Sequence, residues 1–349
     1  MTEATAAAAG DYLVDVAERL KLGCDPSSIR AVVARACGGQ LAARAPDGRR
    51  ASGLTISGIP LEVSVAGGRN RYAPAVRYLA EAGTQETTFA SRVGAQLAAI
   101  RDLADWLPGD GRKAADLLSS FLRTLYPDPA QVSQRQRFAT WTGIVHHAGA
   151  SSRLNRLKVY GAPWVVPRTL ERLSSEFPGF RELVSVPQND EHFRYSIAAI
   201  EVDAHGEVNH KLYLTSRTRN PAVPMKLVRH FGDPAWEVLS ELVRCGVNPA
   251  GLHDHDFFVC CSRDSSGARS FALSVATRRN DDLSQLVPEL AARHHGSTYA
   301  IDALAKAAES HGASWCYSGF GLGFSADDGI DKLNVYGTPT WGAVVNSGR

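Results

Sequence analysis

Apolar positions along the chain switch repeatedly between two spacings. Ala-rich stretches carry them every three or four residues, and stretches rich in Val, Ile, Tyr and Phe carry them at alternate positions between turn residues. The first spacing predicts helices over 11–22 and 27–37, the second of them opened by Asp25-Pro26-Ser27-Ser28. It also predicts a pair over 87–107 and 111–125 around Pro108-Gly109-Asp110-Gly111, and further helices over 167–176, 233–244, 281–294 and 298–311. Alternation predicts five hairpins. Leu54–Ser57 pairs with Leu61–Val65 across Gly58-Ile59-Pro60, and 138–147 with 156–161 across Gly149-Ala150-Ser151-Ser152. Next, 194–203 pairs with 208–215 across Ala204-His205-Gly206-Glu207, and 256–262 with 270–277 across Asp264-Ser265-Ser266-Gly267. The last joins 313–324 to 331–337 through Asp327-Asp328-Gly329.

The segment Leu157-Lys158-Val159-Tyr160-Gly161-Ala162-Pro163 echoes in Leu333-Asn334-Val335-Tyr336-Gly337-Thr338-Pro339, with His210-Lys211-Leu212-Tyr213-Leu214 as a third variant. A repeated helix–hairpin unit with no low-complexity linker implies one domain over 1–349, with N-terminal helices in 1–50 and the barrel with its outer helices in 51–349. Five antiparallel hairpins close most economically into a ring, because closure removes exposed edges. The expected class is therefore α+β, a closed ten-stranded antiparallel β-barrel surrounded by α-helices in repeated α-β-β-α units.

Neighbouring strand residues point to opposite faces, so parity separates the chemistry. Leu61, Val63 and Val65 alternate with Glu62 and Ser64; Leu157 and Val159 with Lys158 and Tyr160. Leu212 and Leu214 alternate with Lys211 and Tyr213; Leu333 and Val335 with Lys332, Asn334 and Tyr336. Phe271, Leu273 and Val275 oppose Ser270, Ala272 and Ser274. Amphipathic helices need an apolar surface, so the aliphatic face belongs outside, beneath them. The polar face then lines the lumen. The competing arrangement is an open sheet with that face in water, but a solvated face mixes polar types freely, whereas here Lys-x-Tyr recurs.

Composition narrows the setting. Of 349 residues, 44% are hydrophobic and 21% charged, enough for a large core. A net charge of +2 argues against a general nucleic-acid binder, so any cationic site is local. The six cysteines, among them the adjacent Cys260 and Cys261, have no CxxC pair and read as free thiols. The N-terminus lacks a signal-peptide pattern and no apolar run reaches the ~20 residues needed to cross a bilayer. A cytoplasmic protein, monomer or homodimer, without membrane partners is expected.

Lysines and arginines at one end of a cavity suit a diphosphate, whose oxygens accept charge-assisted hydrogen bonds. Tyrosine ring faces shield a carbocation and exclude water, and a carboxylate near an acceptor serves as general base. Gly58-Ile59-Pro60-Leu61-Glu62-Val63-Ser64, Pro74–Ala82 with Arg77, and the strands bearing Lys158/Tyr160 and Lys211/Tyr213 resemble, in order and spacing, the dimethylallyltryptophan synthase type of aromatic prenyltransferases. The resemblance runs from about Gly53 to Tyr336. It implies metal-independent transfer of a dimethylallyl or geranyl group from an allylic diphosphate to an indole such as tryptophan, with no cofactor. It assigns Glu62 as base, Arg77, Lys158, Lys211 and Lys332 to the diphosphate, and Tyr160, Tyr213 and Tyr336 to the cation. Trp315, Tyr317 and Ala272 are candidates for the acceptor site, with Trp141 or Trp164, and core packing is the alternative for the aromatic ones. The pattern departs from many relatives at Asn209, where they carry an arginine, and at the small Ser270, Ala272 and Ser274. Peptide or phenolic acceptors, or a binding-only barrel, remain competing readings.

Three other signals read as structural. Asp327-Asp328-Gly329-Ile330-Asp331 spells DDxxD but falls between strands, where Asp and Gly favour a turn. His253-Asp254-His255-Asp256 lacks a completing cluster, so no metal site is expected. Gly319-Phe320-Gly321-Leu322-Gly323 lacks a βαβ context.

Overall fold

A computed structural model of the chain describes residues 5–38, 41–133, 136, 140–149, 153–184, 190–216, 220–276, 280–325 and 327–341, without the side chains of 280–282. The chain opens with α1 (Ala6–Arg19) and α2 (Pro26–Ala36), where the Asp25 carboxylate accepts from the Ser27 and Ser28 amides as an N-cap. Next come β1 (Leu61–Gly68), the two-residue β2 (Arg71–Tyr72) and β3 (Ala75–Ala80). The helical pair is α3 (Phe89–Ala104), capped by Thr88, and α4 (Gly111–Leu125), capped by Asp110. Then follow β4 (Thr140–His147), β5 (Arg156–Gly161), α5 (Thr169–Glu176), α6 (Pro178–Arg181), β6 (Phe193–Asp203) and β7 (Val208–Ser216). The chain continues through α7 (Ala222–Phe231), α8 (Asp233–Arg244), β8 (Asp256–Arg263) and β9 (Arg269–Ala276). It ends with α9 (Asn280–His294), α10 (Tyr299–Ser310), β10 (Ala313–Ser325) and β11 (Gly329–Trp341).

Every long strand pairs antiparallel with its sequence neighbour, and β11 pairs back onto β1. Leaving aside β2, which hangs from β1, the eleven strands of the sheet close as a ten-stranded barrel. Leu61, Val63, Val65, Leu157, Val159, Leu212, Leu214, Leu333 and Val335 are all buried on its outer face. Ala300, Ile301, Leu304 and Ala307 of α10 are likewise buried, and that helix packs on β10, whose Phe320 and Leu322 are buried on the outer face. Each buried Val, Leu, Ile or Phe contributes about 1.5–3 kcal/mol by leaving water. That apolar shell is what turns the polar face inward.

Two expectations fail locally. Leu54–Ser57 is not a strand: Thr55 Oγ1 donates to the Ile59 carbonyl at 2.7 Å and the Gly58 amide to the Thr55 carbonyl at 3.1 Å, closing a compact turn. Hydroxyl-bearing residues that satisfy the backbone locally compete with a ladder. The partner of β1 is instead β3, which sets Arg77 opposite Ser64. Helix α7 is not among the expected helices; Pro221 and Pro224 both lie at its N-terminal end, where a missing amide costs little. Asp327 and Asp328 sit in the β10–β11 turn ahead of Gly329, whose φ of 67° suits glycine.

Outside the barrel, Glu81 and Arg92 form a buried pair at 3.2 Å. Arg92 also donates to the carbonyls of Ala51, Thr84 and Glu86, and Ser52 Oγ to Glu81, so the pair ties the 51–59 turn and the end of β3 to α3. Burial pushes the Glu81 carboxyl up to about 7, with Ser52 and Arg92 opposing. Arg92→Met is expected to lower unfolding free energy by about 3–5 kcal/mol in urea denaturation, because an unpaired buried carboxyl and free carbonyls remain.

Candidate active site

Register fixes the lumen. Directly paired residues in an antiparallel ladder share a face. Starting from Lys158, the inward positions run to Gly143 on one side and Glu201 on the other, then to Leu79 and Glu62 and, from Tyr160, to Ala199 and Lys211. Lys211 pairs with Ser262 and Tyr213 with Cys260, which in turn face Ser270 and Ala272. Gly323 and Gly319 pair with Lys332 and Tyr336. Glu62, Arg77, Lys158, Lys211, Lys332, Tyr160, Tyr213, Tyr336 and Ala272 therefore share one interior.

A cavity of about 800 Å³ occupies that interior, lined by Arg77, Lys158, Lys211, Lys332, the tyrosines 160, 213 and 336, and Ala272. An adjoining cavity of about 860 Å³ shares Arg77 and Lys332 and adds Arg71, His147 and Arg156. The cations feel one another. Burial holds Lys158 well below the usual amine range, and Lys211, Arg77, Lys332 and Arg156 add to the lowering. Lys211 is lowered chiefly by burial, with Arg77 and Arg156 contributing. Lys332 moves the same way, although water reaches its side chain from the mouth and screens part of the effect. Five clustered cations, with Lys158 buried among them and Arg156 and Lys332 nearer the water, form an anion site.

Above the cations lies an aromatic layer. The Tyr160 and Tyr213 rings stand 6.2 Å apart, and Trp141 stacks on Tyr160 at 5.6 Å and 15°. Burial raises the phenols of Tyr160, Tyr213 and Tyr336, keeping them neutral with polarisable faces toward the lumen. Glu62 lies beyond this layer, near Tyr336, and does not line the 800 Å³ cavity. Its carboxyl is pushed up to about 7 by burial, while the Ser318 hydroxyl, donating to it at 2.5 Å, pulls the other way. A carboxyl poised near neutrality next to an apolar wall is suited to take one proton.

The structure does not bring Trp315 and Tyr317 to this space. A bulge between Tyr317 and Gly319 inserts Ser318, so Tyr317 pairs with Gly337 and Trp315 with Pro339, on the face of Val335. Both rings lie outside the lumen: they pack against the apolar core at 6.0 Å from each other, and Tyr317 feels Asp302 of α10. One extra residue swaps the faces, so Ser318 enters the lumen in their place. Trp164 is 48% exposed under the Arg194 guanidinium, whereas Trp141 faces inward. Gly319, Gly321 and Gly323 leave the inner side of β10 bare, and a Cβ at Gly321 would meet Ser274 Oγ at 2.5 Å.

Three interior residues were not singled out from the sequence. Arg156 lay in view, two positions before Lys158 on the same parity. Glu201 follows the apolar Ile197 and Ala199 on the inner face of β6 and precedes Asp203, which pairs with Arg156. Ser318 carries no sequence signal, because a bulge is set by its partner strand. Cys260 and Cys261 face opposite sides as expected, Cys260 hydrogen-bonding Tyr213 in the lumen. Among the described residues no group of three or more His, Cys, Asp or Glu is arranged to hold a metal, and no helix is long and apolar enough to cross a membrane.

No protein-family model matches the chain and no curated protein matches it in sequence. Solved structures do resemble it. The prenyltransferase PriB, in a ternary complex with L-tryptophan and dimethylallyl thiolodiphosphate, aligns at a TM-score of 0.72 and 18% identity over 97% of this chain and 99% of its own. The 5-dimethylallyl tryptophan synthase of Streptomyces coelicolor, in complex with DMASPP and Trp, aligns at 0.70 and 18% identity over 99% and 100%. AnaPT from Neosartorya fischeri aligns at 0.64 and 15% identity over 96% and 93%. At such identities the likeness establishes the architecture, and the chain folds as the dimethylallyltryptophan synthases do.

Proposed function

We propose that this chain is an aromatic prenyltransferase that moves a dimethylallyl or geranyl group from its diphosphate to an indole acceptor such as tryptophan. The observation that carries the reading is the order of the lumen: a cluster of cations, then a layer of tyrosines, then one poised carboxyl. Two of the similar structures hold a dimethylallyl diphosphate analogue and tryptophan in a barrel of the same fold, which supports the same pair of substrates here. Residues 1–349 act as one unit in this reading.

Arg77, Lys158, Lys211, Lys332 and Arg156 grip the diphosphate and stabilise the charge that builds on it as the allylic C–O bond breaks. This supplies by side chains the neutralisation that a divalent ion gives elsewhere, so the transfer is metal-independent. The ring faces of Tyr160, Tyr213 and Tyr336 surround the resulting cation and keep water from it. The indole enters from the Glu62 side, where its ring carbon attacks the cation. Glu62 accepts the indole N–H hydrogen bond and acts as base while the proton leaves the alkylated ring carbon. The Trp141 indole N–H, buried without a partner, faces the same space as a donor for a polar group of the acceptor. Ala272, Ser274 and the bare β10 face give a longer donor room.

A barrel that only binds isoprenoids has no need of Glu62. Incubation with dimethylallyl diphosphate and L-tryptophan in EDTA, followed by mass spectrometry, is expected to give a monoprenylated product. Glu62→Gln should lower its rate by ~100-fold or more while retaining donor binding; an undiminished rate refutes the base assignment. Because the carboxyl is raised to about 7 and must be ionised to accept a proton, turnover should rise with pH through about 7. In Ser318→Ala that limb should shift to higher pH, since the lost hydroxyl favoured the ionised form. Finally, Ala272→Tyr should cut geranyl transfer at least roughly tenfold more than dimethylallyl transfer, equivalent to about 1.4 kcal/mol of discrimination. Unchanged donor preference would mean that β9 does not border the prenyl chain.

A further inference from the structure

Lys158 and Lys211 reach the same carboxylate. Lys158 Nζ lies 2.6 Å and Lys211 Nζ 3.3 Å from Glu201 Oε2, while Arg156 Nη1 sits 3.2 Å from Oε1. Glu201 is 3% exposed and stands between the two lysine strands, directly opposite Lys158 on β5 and Asn209 on β7. No apolar packing explains it. A buried carboxylate costs several kcal/mol in desolvation unless paired, and this one is paired with three of the side chains that face the cavity.

We propose that Glu201 is a positioning residue that aims the Lys158 and Lys211 ammonium groups at a diphosphate and opposes their loss of charge while the site is empty. The inference rests on the diphosphate reading above and adds a residue to it. Without a counter-charge, two ammoniums a few ångströms apart in a space shielded from water repel each other, and the cheaper outcome is to shed a proton or to splay apart. A single carboxylate on the strand between them offsets that repulsion and fixes both Nζ atoms. It cannot neutralise the cluster, since Arg77 and Lys332 remain without it, so the site still favours a polyanion. The arrangement also suits turnover: the released diphosphate is replaced by a carboxylate already within reach rather than by water drawn into the lumen.

The groups facing Glu201 are Arg156 and Lys158 from β5 and Asn209 and Lys211 from β7, with Arg77, Lys332, the Cys260 thiol, which burial raises, and Asp203 opposite Arg156 around them. Guanidinium groups do not deprotonate in proteins and Asn209 carries no titratable group, so removing Glu201 acts on the lysines. A lysine that loses its counter-charge deprotonates at lower pH, and anion binding then weakens as pH rises.

The test is calorimetric binding of inorganic pyrophosphate to the full chain from pH 6.5 to 8.5, for the wild type, Glu201→Gln and Glu201→Asp. The ligand's own titration is common to all three proteins. Relative to the wild type, Glu201→Gln should match or exceed its affinity at the acid end and fall roughly tenfold or more behind it at the alkaline end, one unit of lysine shift being a factor of ten. Glu201→Asp keeps the charge, so its affinity should run parallel to the wild type at a constant offset. If Glu201→Gln does not fold, the Asp variant decides alone: a profile that diverges from the wild type as pH rises overturns the proposal. A Gln variant that tracks the wild type, or is weaker by one factor at every pH, overturns it as well. Failure of the wild type to bind pyrophosphate would instead remove the diphosphate reading on which the inference rests.

Discussion

Like charges packed into a space shielded from water are the constraint around which this molecule is organised. Burial lowers the proton affinity of Arg77, Lys158, Lys211 and Lys332, and the neighbouring cations, Arg156 among them, add to the effect. Such a cluster persists only if the scaffold holding it cannot relax. A closed barrel supplies that rigidity, because each of its ten strands is hydrogen-bonded on both sides and no edge of the ring can peel away. The aliphatic outer face and its helices provide the free energy, and the inner face is left free to carry groups that destabilise the fold locally. Site and scaffold are thus opposite faces of the same strands.

Within the lumen, electrostatics and aromatics are segregated by height. The cationic region borders two adjoining cavities, whereas Glu62 lies past the tyrosines, where burial raises its carboxyl. Two groups of opposite preference, amines pushed toward neutrality and a carboxyl pushed toward protonation, therefore coexist without meeting. Glu201 is the exception: it sits among the cations and pairs with them directly. The difference between the carboxylates is one of neighbours, since among the described residues it is the Ser318 hydroxyl that favours the charge of Glu62. Their separate roles follow from that difference.

Irregularities in the ladder do specific work. The bulge at Ser318 turns Trp315 and Tyr317 out into the helical shell and puts a hydroxyl on Glu62 instead. The glycines of β10 serve neither as a nucleotide loop nor as turn formers. They leave the inner wall bare and allow close approach to Ser274. The turn at 51–59, held by Arg92 and Glu81, occupies the stretch where a strand was expected, and frees the edge of β1 for β11 to close the ring.

Much was decided by the sequence alone. Strand parity at Glu62, Lys158, Tyr160, Lys211, Tyr213, Lys332 and Tyr336 was readable because the period of two is a local property of extended backbone, and four of the five hairpins follow from it with small shifts at their ends. Helices with strong caps, such as the one opened by Asp25, were readable for the same reason. The tertiary structure decided what depends on a partner strand. Register, not local pattern, gave Arg77 its place opposite Ser64, exposed Trp315 and Tyr317 to the outside through one inserted residue, and set Glu201 between two lysines at distant positions in the chain. A carboxylate's meaning lies in the charges across the ladder from it, and those are assigned only when the barrel closes.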